Sequence, residues 1–586
     1  MLKRGIKSTR LLLTRGLVLF GLVACAPAWL SAASKSGQAA SPVKDLCAPE
    51  PGDSPPPLPA KLLEGQGKVH FPITTSSEQA QKFFDQGVAQ MHSFWAREAE
   101  RSFLQAAALD TAAPMPWWGI AMVAAGDYRP GFQLDFVNGV PVENHQAVTG
   151  KPPEAGTKRA QEAAQRAVDL SKTTGKASDV EKMYIAAIAA RRGVGTESPA
   201  EDYVRALRGI VAAAPNEVEA KTYLALILES GFTTPAKKPR EGSMEAVALL
   251  KELLIAVPDH PGVHHYVIHG WEGSTFASDA WPSCKRYSEL VTNIPHAIHM
   301  PGHVYAQTGR WEDARAAFDA AATLERADMA ADSLYGSGHH GHNVHFEIVT
   351  LNFEGQYQKS IELAHELMAI PETPRQKGDV DLWYATDRQG WTGLMRTQVT
   401  FEKWDAILDG SRLPAPVTPR ELAWYHWARS LAYSHQRNVK LARTELGKMD
   451  EALKAWRTAT KKKELPPPLT TARKEAEAQI ALAQGKDHEA WKLFDQASGD
   501  ERALRYQEPP AYPRPVAQAA GTLALGRGEN DRAARYFEIA LEQYPRSPRA
   551  EQGLRAAKGV SEGLETAVVS GTPASATAAS STPPKR

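Results

Sequence analysis

Apolar side chains recur at the spacing of an α-helix through most of this 586-residue chain, and strand-like alternation is nearly absent. Apolar residues at i, i+3, i+4 and i+7 lie on one face of a helix, whereas a half-buried strand alternates with period two. A chain this long exceeds what one hydrophobic core can serve. The pattern therefore predicts an all-α fold and favours an array of helical repeats over a single globule.

Small and aromatic residues recur at fixed offsets between residues 297 and 321: Gly302, Tyr305, Gly309, Trp311, Ala314, Phe318 and Ala321. This pattern resembles the tetratricopeptide repeat (TPR), in which small residues let two helices approach and aromatic rings fill the space between pairs. Comparable pairs occur at 80–110, 179–215, 420–454, 469–497 and 515–545. The resemblance implies an α-solenoid of helix–turn–helix repeats that forms a right-handed superhelix with a concave groove.

The charge and the cysteine content exclude other classes of protein. The chain has 68 Lys and Arg against 67 Asp and Glu, a net charge of +1, so no overall field attracts nucleic acid. Three cysteines are too few for a disulfide scaffold, although Cys47 and Cys284 can pair in an oxidising compartment. We therefore expect no nucleic-acid partner, and a protein or peptide as the partner in the groove.

The first 25 residues have the pattern of a bacterial export signal. Basic residues precede the apolar run Gly16–Ala24, which is too short to span a bilayer. Residues 22–25 resemble a lipobox, in which Cys25 is lipidated and becomes the first residue; the alternative is cleavage after Ala33. The sequence therefore predicts an exported protein, periplasmic or held at a membrane only through this lipid anchor.

Composition divides the remainder of the chain into segments. Regions rich in Pro, Ser, Thr and Ala lack the residues that build a core and predict disorder. The predicted segments are a linker at 26–66, N-terminal repeats at 67–260 with an inserted loop at 127–156, histidine-rich central repeats at 261–374, C-terminal repeats at 375–558 and a disordered tail at 559–586.

Eleven of the 18 histidines fall between residues 260 and 345. Two pairs are separated by 34 residues, the TPR period, and an offset of 46 leads to the next repeat across an insertion. The histidines then occupy positions 2, 5 and 9 of successive first helices, which lie on one helix face. The seven histidines on this face are His265, His269, His296, His299, His303, His342 and His345.

These histidines predict a transition-metal site. Imidazole is the commonest ligand of such metals, and histidines four residues apart present two nitrogens from one helix turn. First helices about 8–10 Å apart let imidazoles from adjacent repeats converge on one ion. Nitrogen donors favour zinc, copper or iron over magnesium or calcium, and binding should weaken below about pH 6.5. His264 is expected in the core, whereas His339 and His340 can add ligands.

Three functions remain open from the sequence. The chain is an exported TPR scaffold that binds a metal, a metalloenzyme with Glu272 as its general base and an open coordination position, or a metal-free peptide-binding adaptor. The segments HYVIH (265–269) and HAIHMPGH (296–303) also resemble a recurrent kind of bacterial exported TPR protein with histidine-rich central repeats. That resemblance implies no particular activity.

Overall fold

The computed structural model describes residues 54–130, 154–332, 334–371, 380–382 and 384–559, all within one unit that spans residues 49–586. This part of the chain contains 23 α-helices and, besides them, only two isolated β-bridges, so the all-α prediction is confirmed there. None of its helices has the length and apolarity needed to cross a bilayer. The predicted export signal with Cys25, Cys47, most of the inserted loop and the tail lie outside the described residues.

The helices divide into three sets along the chain. Eight precede the histidine-rich region: α1 (Glu78–His92), α2 (Ala96–Leu109), α3 (Met115–Val123), α4 (Glu154–Thr173), α5 (Asp179–Arg191), α6 (Pro199–Ala213), α7 (Val218–Leu228) and α8 (Ser243–Ala256). Six form the central region: α9 (Pro261–Trp271), α10 (Trp281–Leu290), α11 (Pro295–Gln307), α12 (Trp311–Ala331), α13 (Gly338–Glu354) and α14 (Tyr357–Met368). Nine follow: α15 (Thr386–Thr400), α16 (Trp404–Leu408), α17 (Pro419–His435), α18 (Val439–Thr460), α19 (Pro467–Ala483), α20 (Asp487–Ala503), α21 (Val516–Gly526), α22 (Asn530–Gln543) and α23 (Pro548–Ala557).

Consecutive helices pack in pairs, and a glycine in the first helix allows the close approach. A Cβ added at Gly302 of α11 would lie 2.5 Å from the ring of Phe318 in α12. The same contact joins α21 to α22, where a Cβ at Gly521 would lie 2.9 Å from the ring of Phe537. Both rings are buried. This is the packing that the TPR signature implies, so the prediction of a TPR-like helical-repeat fold is confirmed.

Replacing Gly302 with alanine is expected to destabilise the protein by about 1–3 kcal/mol, because the new methyl group would overlap the buried Phe318 ring. Gly209, inside α6, is the matched control, since a Cβ there would meet nothing within 4 Å. Gly209→Ala should stabilise its helix by up to about 1 kcal/mol. Urea unfolding followed by circular dichroism measures both changes. A Gly302→Ala protein as stable as the Gly209→Ala protein would contradict the close helix contact.

Residues 54–66 pack against the first helices, so the prediction of a disordered linker through residue 66 is wrong for its described part. The backbone N–H of Leu63 donates to Gln86 Oε1 at 2.7 Å. Gln86 Nε2 in turn donates to the carbonyl of Lys61 at 2.8 Å. A side-chain amide on α1 therefore satisfies backbone groups of this segment, which the composition of the segment alone does not reveal.

The connection between α20 and α21, residues 504–515, lies across the central repeats. The hydroxyl of Tyr506 donates to Glu272 Oε2 at 3.2 Å, and Glu508 Oε2 lies 2.7 Å from His303 Nδ1. All but Tyr506 are nearly inaccessible to solvent. The face that was expected to form an open groove is therefore covered around His303 by a distant part of the same chain.

Candidate metal centre

The predicted histidines lie on α9, α11 and α13, the first helices of three successive repeats. Pro261 and Pro295 stand in the first turns of α9 and α11, where a missing N–H costs no helical hydrogen bond. Helix α9 contacts α11, and α11 contacts α13, so their histidine-bearing faces adjoin. Six of the seven histidines are buried and His296 is half-buried. The repeat thus places all seven in the interior.

Six of the seven histidines form two groups that the repeat relates to each other. Each group takes two histidines four residues apart on one helix and a third from the first helix of the next repeat. Equivalent members are offset by 34, 34 and 46 residues, as in the repeats themselves. Within each group, one nitrogen of every histidine lies within 4.8 Å of the others. Group A consists of His265, His269 and His296, and group B of His299, His303 and His342.

The two groups have similar dimensions and adjoin each other. Ring centroids lie 4.9–6.5 Å apart in group A and 4.5–6.0 Å apart in group B. The groups meet at His296 and His299, whose centroids are 6.0 Å apart. An ion bound at about 2.0–2.1 Å would hold tetrahedral nitrogens about 3.3 Å apart. Side-chain rotations that move each nitrogen by about an ångström would therefore close either group around an ion.

In group A, oxygen atoms hold the Nδ1 side of both α9 imidazoles. His265 Nδ1 donates to the carbonyl of His92 at 2.6 Å, and His269 Nδ1 is hydrogen-bonded to Glu272 Oε1. A proton on Nδ1 leaves the lone pair on Nε2, which is the usual arrangement of a metal-binding histidine. The group is packed against Phe94, whose centroid lies 4.4 Å from that of His265. Phe94 has a φ of 53°, a strained conformation for an aromatic residue.

Group B has the same kind of support on α11. His299 Nδ1 donates to Asn343 Oδ1 at 2.6 Å, and His303 Nδ1 lies 2.7 Å from Glu508 Oε2. The Nε2 atoms of His299 and His303 face each other at 2.5 Å. Two lone pairs at this distance would repel each other, so a cation, either a proton or a metal ion, is needed between them. Group B is therefore arranged to hold a positive charge between its two α11 nitrogens.

Glu272 links the two groups. Its Oε1 bonds His269 of group A, and its Oε2 lies 3.4 Å from His303 Nδ1 of group B. Both oxygens thus face Nδ1 atoms, away from the Nε2 side on which an ion would bind. The sequence suggested Glu272 as a general base, but these contacts place it where a carboxylate orients two ligands.

His345 belongs to neither group, although it occupies the same position of its repeat as His265 and His299. Its Nδ1 lies 3.4 Å from Gln389 Oε1 of α15. The residue four positions later is Val349, and α15 contains no histidine. The third repeat therefore lacks the two further members that complete groups A and B.

Burial keeps most of these imidazoles neutral. It lowers the pKa of His265, His296 and His299 well below the ordinary value of 6.5. In His303, burial acts in the same direction, but the carboxylate of Glu508 prevails and raises the pKa to about 10. Since neutral imidazole is the form that binds metals, the acid loss of a metal from group A should begin below pH 6.5, lower than the sequence suggested.

The same shifts predict that the metal-free protein loses stability in mild acid. Below about pH 6.5 the unfolded chain takes up protons at histidines that stay neutral in the folded protein. Each such histidine costs up to about 1.4 kcal/mol per pH unit. His303 does not offset this, because a group with a raised pKa contributes its full stability below the unfolded value.

With a chelator present, the midpoint of urea unfolding should therefore fall steadily from about pH 6.5 to about pH 5. Intrinsic tryptophan fluorescence reports the transition. A midpoint that stays constant over this range would contradict neutral, buried histidines.

Sequence reasoning missed several polar residues of this region. Glu508 follows the central repeats by more than 150 residues, and no spacing signals its contact with His303. A third buried set, His92, Glu219 and His260, has ligand atoms within the same distance limit. His92 Nε2 and His260 Nε2 lie 2.8 and 3.0 Å from Glu219 oxygens, and His92 Nδ1 lies 2.8 Å from a tyrosine hydroxyl. These hydrogen bonds satisfy the set without a metal, so we assign it to packing.

Comparison with known proteins yields structural similarity only. No protein-family model and no curated protein matches the sequence. Human IFIT1, solved as a dimer with m7Gppp-AAAA, is 10% identical over 83% of this chain and 91% of its own, with a TM-score of 0.31. The anaphase-promoting-complex assembly Cut9–Hcn1 is 10% identical (82% and 76%, TM-score 0.29), and yeast Tom70 is 11% identical (83% and 89%, TM-score 0.24). All three are TPR-type proteins, and at these TM-scores they carry no further argument.

Proposed function

We propose that this protein binds two transition-metal ions, one in group A and one in group B, on a helical-repeat scaffold. The observation that carries the proposal is the repetition of one arrangement. Two histidines on one first helix and a third on the next come together twice, at equivalent positions of successive repeats. A single cluster of buried histidines is an ordinary feature of a protein core, whereas the same three-histidine cluster in repeat register implies a shared purpose.

Unpartnered nitrogens support an ion in group A. The Nε2 atoms of His265 and His296 are buried and have no hydrogen-bond partner. A buried polar atom without a partner costs about 1–3 kcal/mol, and proteins rarely retain such a cost without a use. A metal ion among these nitrogens would satisfy both atoms at once.

Charge balance supports an ion in group B. The carboxylates of Glu272 and Glu508 are each no more than 3% exposed, and both face His303. Buried negative charge is costly unless a positive charge compensates it. A proton on His303 compensates only one of the two charges, whereas a divalent ion between the group B nitrogens compensates both.

The donor set limits the identity of the metal to zinc, copper or iron. Each group offers three neutral imidazole nitrogens, with oxygen atoms confined to the Nδ1 side of the four histidines on α9 and α11. Imidazole suits these borderline metals, whereas magnesium and calcium require several oxygen ligands. The absence of a thiolate among the donors also separates these groups from the usual structural zinc sites.

Metal analysis of the purified full chain tests this proposal. After expression with zinc, copper and iron supplied and extensive dialysis, we expect about two metal ions per chain. The control variant replaces three exposed histidines outside the groups, His365, His435 and His488, with alanine, and it should retain both ions. A chain that retains no metal under these conditions contradicts the proposal.

A second candidate function, a metalloenzyme, is favoured by a cavity beside group B. The cavity has a volume of about 290 Å³, and His303, Phe346 and Tyr506 are among the residues that line it. A three-histidine metal with an open fourth position can activate a bound water as a nucleophile. In the cobalt-substituted protein, azide should then shift the visible absorption bands; bands that azide leaves unchanged contradict an open position.

The wider setting that we propose is an exported scaffold with a lipid at Cys25 and a protein or peptide partner on its repeats. This part of the proposal rests on the sequence pattern of the first 25 residues and on the helical-repeat fold. Because residues 504–515 cover the face around His303, a partner would have to bind elsewhere on the repeats. Palmitate labelling of the wild-type chain and of Cys25→Ser in a bacterial host tests the anchor, since only the wild-type chain should incorporate the label.

A further inference from the structure

His339 lies between groups A and B and belongs to neither. Its ring centroid is 5.1 Å from that of His296, 5.0 Å from His299 and 5.9 Å from His342. These separations fall within the range found inside the two groups. Its Nε2 atom lies 3.0 Å from His296 Nδ1, so the side chain presents this nitrogen to the histidine cluster.

The opposite side of the His339 ring has the same support as the histidines of α9 and α11. Its Nδ1 is hydrogen-bonded to Glu325, a buried carboxylate of α12. Glu325 Oε2 also accepts from Asn343 Nδ2 at 3.2 Å, and Asn343 Oδ1 holds His299. One carboxylate thus orients His339 directly and His299 through an amide, as Glu272 orients one histidine of each group.

The neighbouring His340 shows what a structural histidine looks like at the same place. Its Nδ1 lies 3.0 Å from Glu325 Oε2, and its Nε2 lies 3.2 Å from Glu366 Oε1. Because carboxylates occupy both of its nitrogens, His340 has no lone pair to offer an ion. Adjacent histidines that share one carboxylate therefore differ in the one property that metal binding requires.

We propose that His339 is a further metal ligand, which supplies the fourth nitrogen of group B; this inference rests on the proposed function. Group B is the nearer group, because His339 approaches two of its rings and only one ring of group A. A Cβ at the preceding Gly338 would meet nothing within 4 Å, so the start of α13 has room to shift toward the ion. Four nitrogen ligands make a closed site, which favours metal binding over catalysis in group B.

Electron paramagnetic resonance of bound Cu²⁺ tests this assignment. The full chain carries His265→Ala and His269→Ala, so that one ion remains, in group B. We expect nitrogen hyperfine structure from four imidazoles in this background and from three after His339→Ala. The Cu²⁺ dissociation constant should rise by about 10–100-fold. His340→Ala is the matched control and should change neither quantity, and thermal melting with a chelator present checks that each variant folds.

The possible results separate this inference from the function on which it rests. A group B ion whose spectrum and affinity are the same with and without His339 overturns the assignment of His339 and leaves the proposed function standing. Equal effects of His339→Ala and His340→Ala also overturn it, because they indicate a structural role for both residues. A background chain that binds no Cu²⁺, while the wild-type chain also binds none, overturns the proposed function itself.

Discussion

A chain with His299→Ala and His303→Ala is expected to hold one metal ion where the wild-type chain holds two. These residues supply two of the three nitrogens of group B, and one histidine cannot retain the ion through dialysis. Even the loss of an outer hydrogen bond to a ligand weakens metal binding by about 10–100-fold, and the loss of two ligands exceeds this. Group A keeps all of its histidines, so the remaining ion should stay. Metal content per chain, measured after dialysis, gives the result directly.

The matched control for this experiment is His345→Ala. His345 is buried on the same face and at the same repeat position as His299, yet it lies in neither group. It should therefore cost stability without costing an ion. Loss of both ions from the double variant, with its melting temperature in chelator unchanged, would contradict two separable centres, as would loss of an ion from His345→Ala.

Replacing Glu272 with glutamine is expected to weaken both centres by about 10–100-fold, whereas Glu508→Gln should weaken only group B. Glu272 bonds one histidine of each group, while Glu508 contacts His303 alone among the histidines of the two groups. Glutamine keeps the size of the side chain but removes the negative charge that strengthens the imidazole as a ligand. Chelator competition on chains that retain a single centre measures each affinity separately.

The comparison of these two variants is its own control, since both remove one buried carboxylate near His303. If Glu272→Gln and Glu508→Gln have the same effect on group A, the link through Glu272 is wrong. A Glu272→Gln protein with unchanged affinity at both centres would show that the carboxylate serves packing only.

The fold was predictable because the repeat writes its packing into local sequence. Gly302 and Phe318 have to meet if α11 and α12 are to pack, and their spacing recurs in other pairs. The composition of residues 54–66, in contrast, predicted disorder, and the segment is held by Gln86 of α1. Local composition reports what a segment can bury by itself and does not report which partner another helix offers.

The site was predictable in part for the same reason. A spacing of four residues and the repeat period fix which helix face carries the histidines, and the structure brings six of those seven into groups A and B. The division into two groups depends on how each side chain leans toward the next helix. Glu508 was not predictable, because residues 504–515 reach His303 through the overall path of the chain.

Anomalous diffraction from crystals of the metal-loaded full chain tests the central claim most directly. Data collected at the absorption edge of the bound metal should show two peaks, one among the nitrogens of group A and one among those of group B. Each peak should lie about 2.0–2.1 Å from histidine nitrogens. A single peak, or peaks remote from these six histidines, would contradict two metal centres built by one repeated arrangement.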